Sequence, residues 1–271
     1  MKKFFKNLRY FFKNDLANKS DEAYEYIIEQ ILYEIPTSNV FRPNIKNIEQ
    51  TINILINSNK SIARFGDGEL SIIDNKGIPF QEYNDVLAKR LKEILINDNP
   101  NLMIGINREY YYPEIDKLIP NVSSFYRRAV PKLRKQLSKY LNSEKEYCTA
   151  NFSQAYMFLK EYDFDNYYEK LRKIWDNKNI LIVTCEEVLK NIEFNIYDNA
   201  KLINYLHIPA KNAYSKYNEI YNKITQYDQE TLIVLMAGPT ANVLADDLSK
   251  NNYRALDLGH LLKDYDWYKK R

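Results

Sequence analysis

Arg64-Phe65-Gly66-Asp67-Gly68-Glu69 sets two carboxylates two residues apart, between glycines and behind an arginine. On a turn, Asp67 and Glu69 can aim hard oxygen ligands at one cation. Mg²⁺ and Mn²⁺ suit such a pair, because they take one or two carboxylates and fill the rest of their shell with water and phosphate oxygens. Arg64 is placed to give charge-assisted hydrogen bonds to a diphosphate, or to hold the carboxylates. Gly66 and Gly68 permit positive φ and a close approach of backbone to ligand. The same six residues also read as an ordinary Gly-rich turn, with Asp67 as N-cap and Glu69 as a first-turn acid. The two histidines, His207 and His260, are too few for a histidine-built metal site, and Cys148 and Cys185 lie too far apart to form a metal-type pair. Any metal here leans on carboxylates.

Two later segments carry further chemistry. An apolar run over residues 231–237 leads into Gly238-Pro239-Thr240-Ala241-Asn242. Pro239 fits the first position of a helix, and the amides there, with the Thr240 hydroxyl, form an anion site or simply a strand-to-helix turn. Asp257-Leu258-Gly259-His260 is followed by Asp264, Asp266 and Trp267. His260, Asp264 and Asp266 are candidates for a general base or a further metal ligand, and Trp267 for stacking on a sugar or base. The competing reading is a solvated acidic tail.

The elements that position these residues alternate. Short apolar runs at 61–65, 102–106, 180–184, 201–208, 231–237 and 253–258 have strand length. Helical spacing occupies 45–56, 81–97, 214–226 and 239–250, and residues 113–175 read as mainly helical, with Pro131 near a helix start. This predicts an α/β protein, Rossmann-like in layout, with a mostly parallel sheet, helices on both faces, a helical insertion and N-terminal helices. The strands then deliver the three segments to one sheet edge, where α/β proteins bind ligands.

The chain of 271 residues divides at sequence level into an extension, 1–43, and a compact domain, 44–271. A net charge of +3 gives no argument for nucleic acid. No run of 18 apolar residues is present, so no membrane span is expected. Residues 2–13 place Phe4, Phe5, Leu8, Phe11 and Phe12 on one helical face and five cations on the other. Such a helix can rest on an anionic membrane or dock on protein. The expected location is cytoplasmic, with peripheral contact at the inner membrane face.

Taken together, the three segments resemble the GT-D-type bacterial glycosyltransferases, a group first described as a domain of unknown function. The Asp-x-Glu motif in its R-F-G-D-G-E setting stands at Arg64 to Glu69, the G-P-T-A segment at Gly238 to Ala241, and D-x-G-H at Asp257 to His260. Pro209, Asn212 and Ala213 resemble the family's P-x-x-N-A, and Trp175 before a strand is similar too. The resemblance covers about residues 45–267. It implies a Rossmann-like fold, a UDP-sugar donor, Mn²⁺ or Mg²⁺ at Asp67 and Glu69, and transfer of a hexose, glucose foremost, onto a protein- or lipid-linked glycan acceptor. Arg64, Gly66, Gly68, Gly238, Pro239 and Thr240 would then surround the donor. Three departures stand out: Gln154 where the pattern has Arg, residues 184–190 without its Gly, Ser and Arg, and Leu262 where it has an acid.

The chemistry suits these parts, since a metal offsets the charge that builds on a leaving diphosphate. Two rivals remain: a weak or inactive relative that binds nucleotide sugar or glycan, and a metal-dependent phosphohydrolase, which needs more ligands than this sequence offers.

Overall fold

The computed structural model describes residues 42–96, 98–112 and 114–271. Residues 2–13, and nearly all of the extension at 1–43, lie outside the described residues.

In chain order the elements are β1 (Asn44–Ile45), α1 (Ile48–Asn57), β2 (Ser61–Phe65), α2 (Asp67–Ile73), α3 (Asp85–Ile96), β3 (Leu102–Ile106), α4 (Pro120–Leu137), β4 (Glu146–Thr149), α5 (Ala155–Phe158) and α6 (Phe164–Arg172). The second half holds β5 (Asn179–Thr184), α7 (Glu186–Leu189), β6 (Leu202–His207), α8 (Tyr217–Ile224), β7 (Leu232–Leu235), α9 (Pro239–Lys250), β8 (Ala255–Asp257) and α10 (Leu261–Lys269). The strands form one sheet in the order β1-β4-β3-β2-β8-β7-β5-β6, and every pairing is parallel.

Parallel sheets are covered on both faces, so their central strands read as continuous apolar runs. The alternation of side chains still sorts them into two cores. Ala63, Phe65, Leu181, Val183, Ile233 and Leu235 pack with α2, α3, α4 and α9 on one face. Ile62, Ile180, Ile182, Leu232 and Val234 pack with α1, α6 and α10 on the other. Register ties Ser61–Phe65 to Leu102–Ile106 and Leu235 to Asp257, so the strands end together at one edge.

The α/β expectation and the parallel sheet are observed. Two short strands, β1 and β4, escape the sequence pattern: they have two and four residues, too few to show a period of two beside helical neighbours. Pro131 lies inside α4, whose first residue is Pro120. A helix interior tolerates it at the cost of one backbone hydrogen bond.

The C-terminal segment is a packed helix, not a solvated tail. Tyr156, Phe164, Tyr168 and Tyr268 form edge and tilted ring contacts around α10, and Leu261, Leu262 and Asp264 are buried. Among the described residues no helix is long and apolar enough to cross a membrane.

Candidate active site

A cleft of about 770 Å³ opens at the carboxyl ends of the strands, lined by residues that follow β2, β3, β4, β5, β6, β7 and β8. Its size suits a small organic ligand.

The β2 turn forms its acidic wall. Gly66 is the N-cap of α2, Asp67 its first residue and Glu69 its third. The Gly66 N–H donates to Glu69 Oε2 at 2.8 Å, half of a capping box. The cap-turn reading is met at Glu69, which caps the helix with one oxygen, and corrected at Asp67, since Gly66 and not Asp67 is the N-cap. Asp67 is exposed and its carboxylate makes no hydrogen bond or ion pair among the described residues. Gly66 is extended at φ −111°, and neither it nor Gly68 has positive φ, which corrects that part of their expected role, while both line the cleft. Burial pushes the Glu69 carboxyl up to about 7, the Gly66 amide pulling down and the Asp257 charge pushing up again.

Arg64 pairs with Asp257 and not with the expected Asp67 and Glu69 carboxylates. Its Nη2 meets Asp257 Oδ1 at 3.4 Å, and its Nη1 donates to the Ala150 carbonyl and Ser153 Oγ, each at 3.1 Å. Nε is buried without a partner. Asp257 is buried and also accepts from the Arg64 and Gly259 amides. Burial raises its carboxyl, against the Arg64 charge. Gly259 makes room for this arrangement: it sits at φ +51°, and a Cβ there would lie 1.7 Å from Arg64 Nη2.

The β7 turn supplies backbone. Gly238, at φ +55°, caps α9, and Pro239 occupies its first position. Both line the cleft. Thr240 does not: it is fully buried and its hydroxyl has no partner, so the expected hydroxyl contact to an anion is corrected. Asn242, further along α9, donates to the Arg64 carbonyl at 2.7 Å and fastens the two turns together.

The three proposed bases separate. Asp264, a little over half a helical turn from Asp266, faces away from the cleft. It accepts from the Met157 amide at 2.8 Å and from the Tyr168 hydroxyl at 2.6 Å, tying α10 to α5 and α6. Burial pushes its carboxyl up to about 6. A base or metal role for Asp264 is therefore corrected to a structural one. Asp266 lines the cleft, but its oxygens are taken by the Glu193 and Phe194 amides and by Lys270 at 2.9 Å. Burial raises its carboxyl less than these partners lower it. His260 lines the cleft and reaches solvent. Surrounding protein first, then the Arg64 and Lys263 charges, hold its imidazole below the ordinary value, so it is neutral at neutral pH.

Sequence reading missed several cleft residues. Phe80, 45% exposed, rests on Gly238, and its carbonyl accepts from the amide of Asn212, which adopts the left-handed conformation. The Asn212 side chain in turn accepts from the Glu82 amide at 2.7 Å. The P-x-x-N-A stretch was legible, but its partner across the sheet was not. Lys263 lines the cleft too and was missed, whereas Gln154 and Glu187, also in the lining, fall at positions the sequence marks as departures.

The charges of the cleft are unbalanced. Asp67, Glu69, Glu187, Asp257 and Asp266 face Arg64 and Lys263. Among the described residues no three His, Cys, Asp or Glu side chains gather as a complete metal cage. Asp67 and the second oxygen of Glu69 are the hard ligands on offer. Two carboxylates with water and phosphate fit Mg²⁺ or Mn²⁺.

Comparison with known proteins places this arrangement. The pattern described as "Glycosyltransferase GT-D fold" matches residues 62–271. The probable glycosyl transferase Gly of Streptococcus gordonii is 31% identical over 233 residues, 83% of this chain and 33% of that protein. Glycosyltransferase GlyD of Streptococcus pneumoniae serotype 4 is 28% identical over 232 residues, 83% of this chain and 28% of that protein. The chain thus spans about a third of the length of these relatives. A solved structure of domain of unknown function 1792, described as a distinct glycosyltransferase fold, superposes with a TM-score of 0.79 at 28% identity, over 91% of this chain and 86% of the other. A glycosyltransferase of the same domain from Streptococcus sanguinis gives 0.78 at 27% identity, over 84% and 85%.

Proposed function

This chain belongs to the GT-D-fold glycosyltransferase family, and from that premise we propose that it moves a hexose, glucose foremost, from a UDP-sugar onto a glycan acceptor with Mn²⁺ or Mg²⁺. The observation that supports this most is the charge of the cleft: five carboxylates against two cationic side chains. A diphosphate entering such a cleft is repelled unless a divalent cation bridges it to the acids. Asp67 and Glu69 would hold that cation, which when bound supplies positive charge beside the leaving diphosphate.

The chain's own groups do the rest. Burial raises Glu69 and leaves its second oxygen short of a counter-charge, so it favours a cation over bulk water. Arg64, fixed by Asp257, adds a permanent charge behind the β2 turn. Gly238 lets the α9 terminus approach the ligand without a side chain between them. His260, neutral and open to the cleft, takes the acceptor hydroxyl proton. The acceptor oxygen bonds to the sugar C1 as the bond from C1 to the diphosphate oxygen breaks, with inversion of configuration.

A nucleotide-sugar-binding module without turnover is the second reading, favoured by Gln154, which lines the cleft where the family pattern has Arg. Release of free UDP from UDP-glucose, measured with Mn²⁺ and a saccharide acceptor, separates the two. Turnover that is lost in His260→Ala supports the transferase, and binding without release supports the module.

A further inference from the structure

Resting on the donor reading above, we infer that Lys263 is the mobile phosphate-binding residue of the cleft, parked on Trp267 until a diphosphate arrives. Among the described residues that line the cleft, two side chains are permanent cations, Arg64 and Lys263. Arg64 is not available to a ligand: Asp257, Ser153 and the Ala150 carbonyl hold both of its terminal nitrogens, and its Nε is buried. Lys263 has no carboxylate partner among the described residues. Its ammonium lies 4.5 Å from the centre of the Trp267 ring.

Both residues project from α10 at the same mouth. Lys263 is exposed, and Trp267 is 46% exposed, although large aromatic side chains are usually more covered. Spaced i and i+4, they share one helix face. An exposed cation–π contact is weak, whereas a charge-assisted hydrogen bond to phosphate is stronger. The flexible four-carbon stem of lysine permits the exchange without moving the helix. Transfer of the ammonium also uncovers the Trp267 ring face, which is then open to stack on a sugar or base as donor enters. His260 lies one turn earlier and feels the Lys263 charge. Drawing that charge toward phosphate would bring it under the same control.

Trp267 makes the exchange visible. The only other tryptophan, Trp175, is fully buried, donates to the Ile196 carbonyl at 3.2 Å and does not line the cleft. The experiment is calorimetry of full-length protein in Mn²⁺ with UDP, GDP and dTDP, repeated with the monophosphate of the tightest binder, alongside tryptophan emission. Lys263→Met should weaken the diphosphate by about 10- to 100-fold, the range for one charge-assisted bond. It should weaken the monophosphate far less, and Lys263→Arg should restore binding. Diphosphate should change the emission of wild type and of Trp175→Phe, but not of Trp267→Phe. Equal diphosphate affinity in Lys263→Met and wild type overturns this inference and leaves the donor reading standing. A wild-type protein that binds none of the three diphosphates overturns both.

Discussion

Two strand-to-helix turns stand at the ligand edge on either side of β8, and the same fold makes them do different work. The β2 turn, Phe65 to Glu69, presents side chains: an exposed Asp67 and a half-buried Glu69 with a raised carboxyl. The β7 turn, Ala237 to Thr240, presents backbone: a glycine at positive φ, a proline without N–H, and a hydroxyl buried away from the cleft. Asn242 joins them by its bond to the Arg64 carbonyl. A Gly-rich turn after a strand is therefore not one kind of site. What decides is whether the polar residues after the glycine face the cleft or the core.

The largest effect separates the turns by activity. Asp67→Asn combined with Glu69→Gln should lower sugar transfer by about 100- to 1,000-fold, the usual cost of losing charge stabilisation at a leaving group. Far-ultraviolet circular dichroism should show the fold unchanged. A steady-state assay that finds transfer at the wild-type rate breaks the contrast.

The next effect is electrostatic and concerns Glu69 alone. Burial raises its folded carboxyl to about 7 against an ordinary 4.5, so between these values the folded protein holds the proton and the unfolded chain does not. The stability it contributes is present in full below pH 4.5 and is lost as pH rises through 7. At 1.36 kcal/mol per unit, this reaches about 3 kcal/mol in metal-free protein. Thermal melts should fall between pH 5 and 8 in wild type and fall less in Glu69→Gln. Mn²⁺ should restore more stability at pH 8 than at pH 6, because it competes with the proton. Parallel melting curves for the two proteins would remove Glu69 from the acidic wall.

Smaller effects belong to the β7 turn. Gly238→Ala should cost about 1–3 kcal/mol, since φ +55° suits glycine and the new Cβ would lie 3.0 Å from Phe80. Urea denaturation measures this. The smallest effect is Thr240→Val. Its hydroxyl is buried without a partner, so an isosteric methyl should leave nucleotide affinity unchanged and stability equal or slightly higher. A weaker nucleotide would return Thr240 to the ligand.

How much of this was legible in the sequence follows from the range of the interactions. The parallel sheet was, because its central strands are long apolar runs between helical patterns. Asp67 and Glu69 were, because the two acids and their glycines are adjacent in the chain. Asp264 and Asp266 looked equivalent at two residues apart, yet helical rotation sends one into the Tyr168 and Met157 contacts and leaves the other at the cleft. The locking of Arg64 was not legible either, since Asp257 and Ser153 are 193 and 89 residues away. Lys263 gave no signal, for a lone lysine on a helix ordinarily belongs to a solvated face.

On the proposed function, a divalent cation held by the β2 turn would carry the donor diphosphate. Isothermal titration of UDP into wild type and Asp67→Asn, each with and without Mn²⁺, tests it most directly. Tight UDP binding by wild type in Mn²⁺, weak binding in chelator, and little effect of Mn²⁺ on Asp67→Asn is the expected result. UDP bound equally well with and without metal, or an Asp67→Asn protein that keeps the full Mn²⁺ effect, would contradict it.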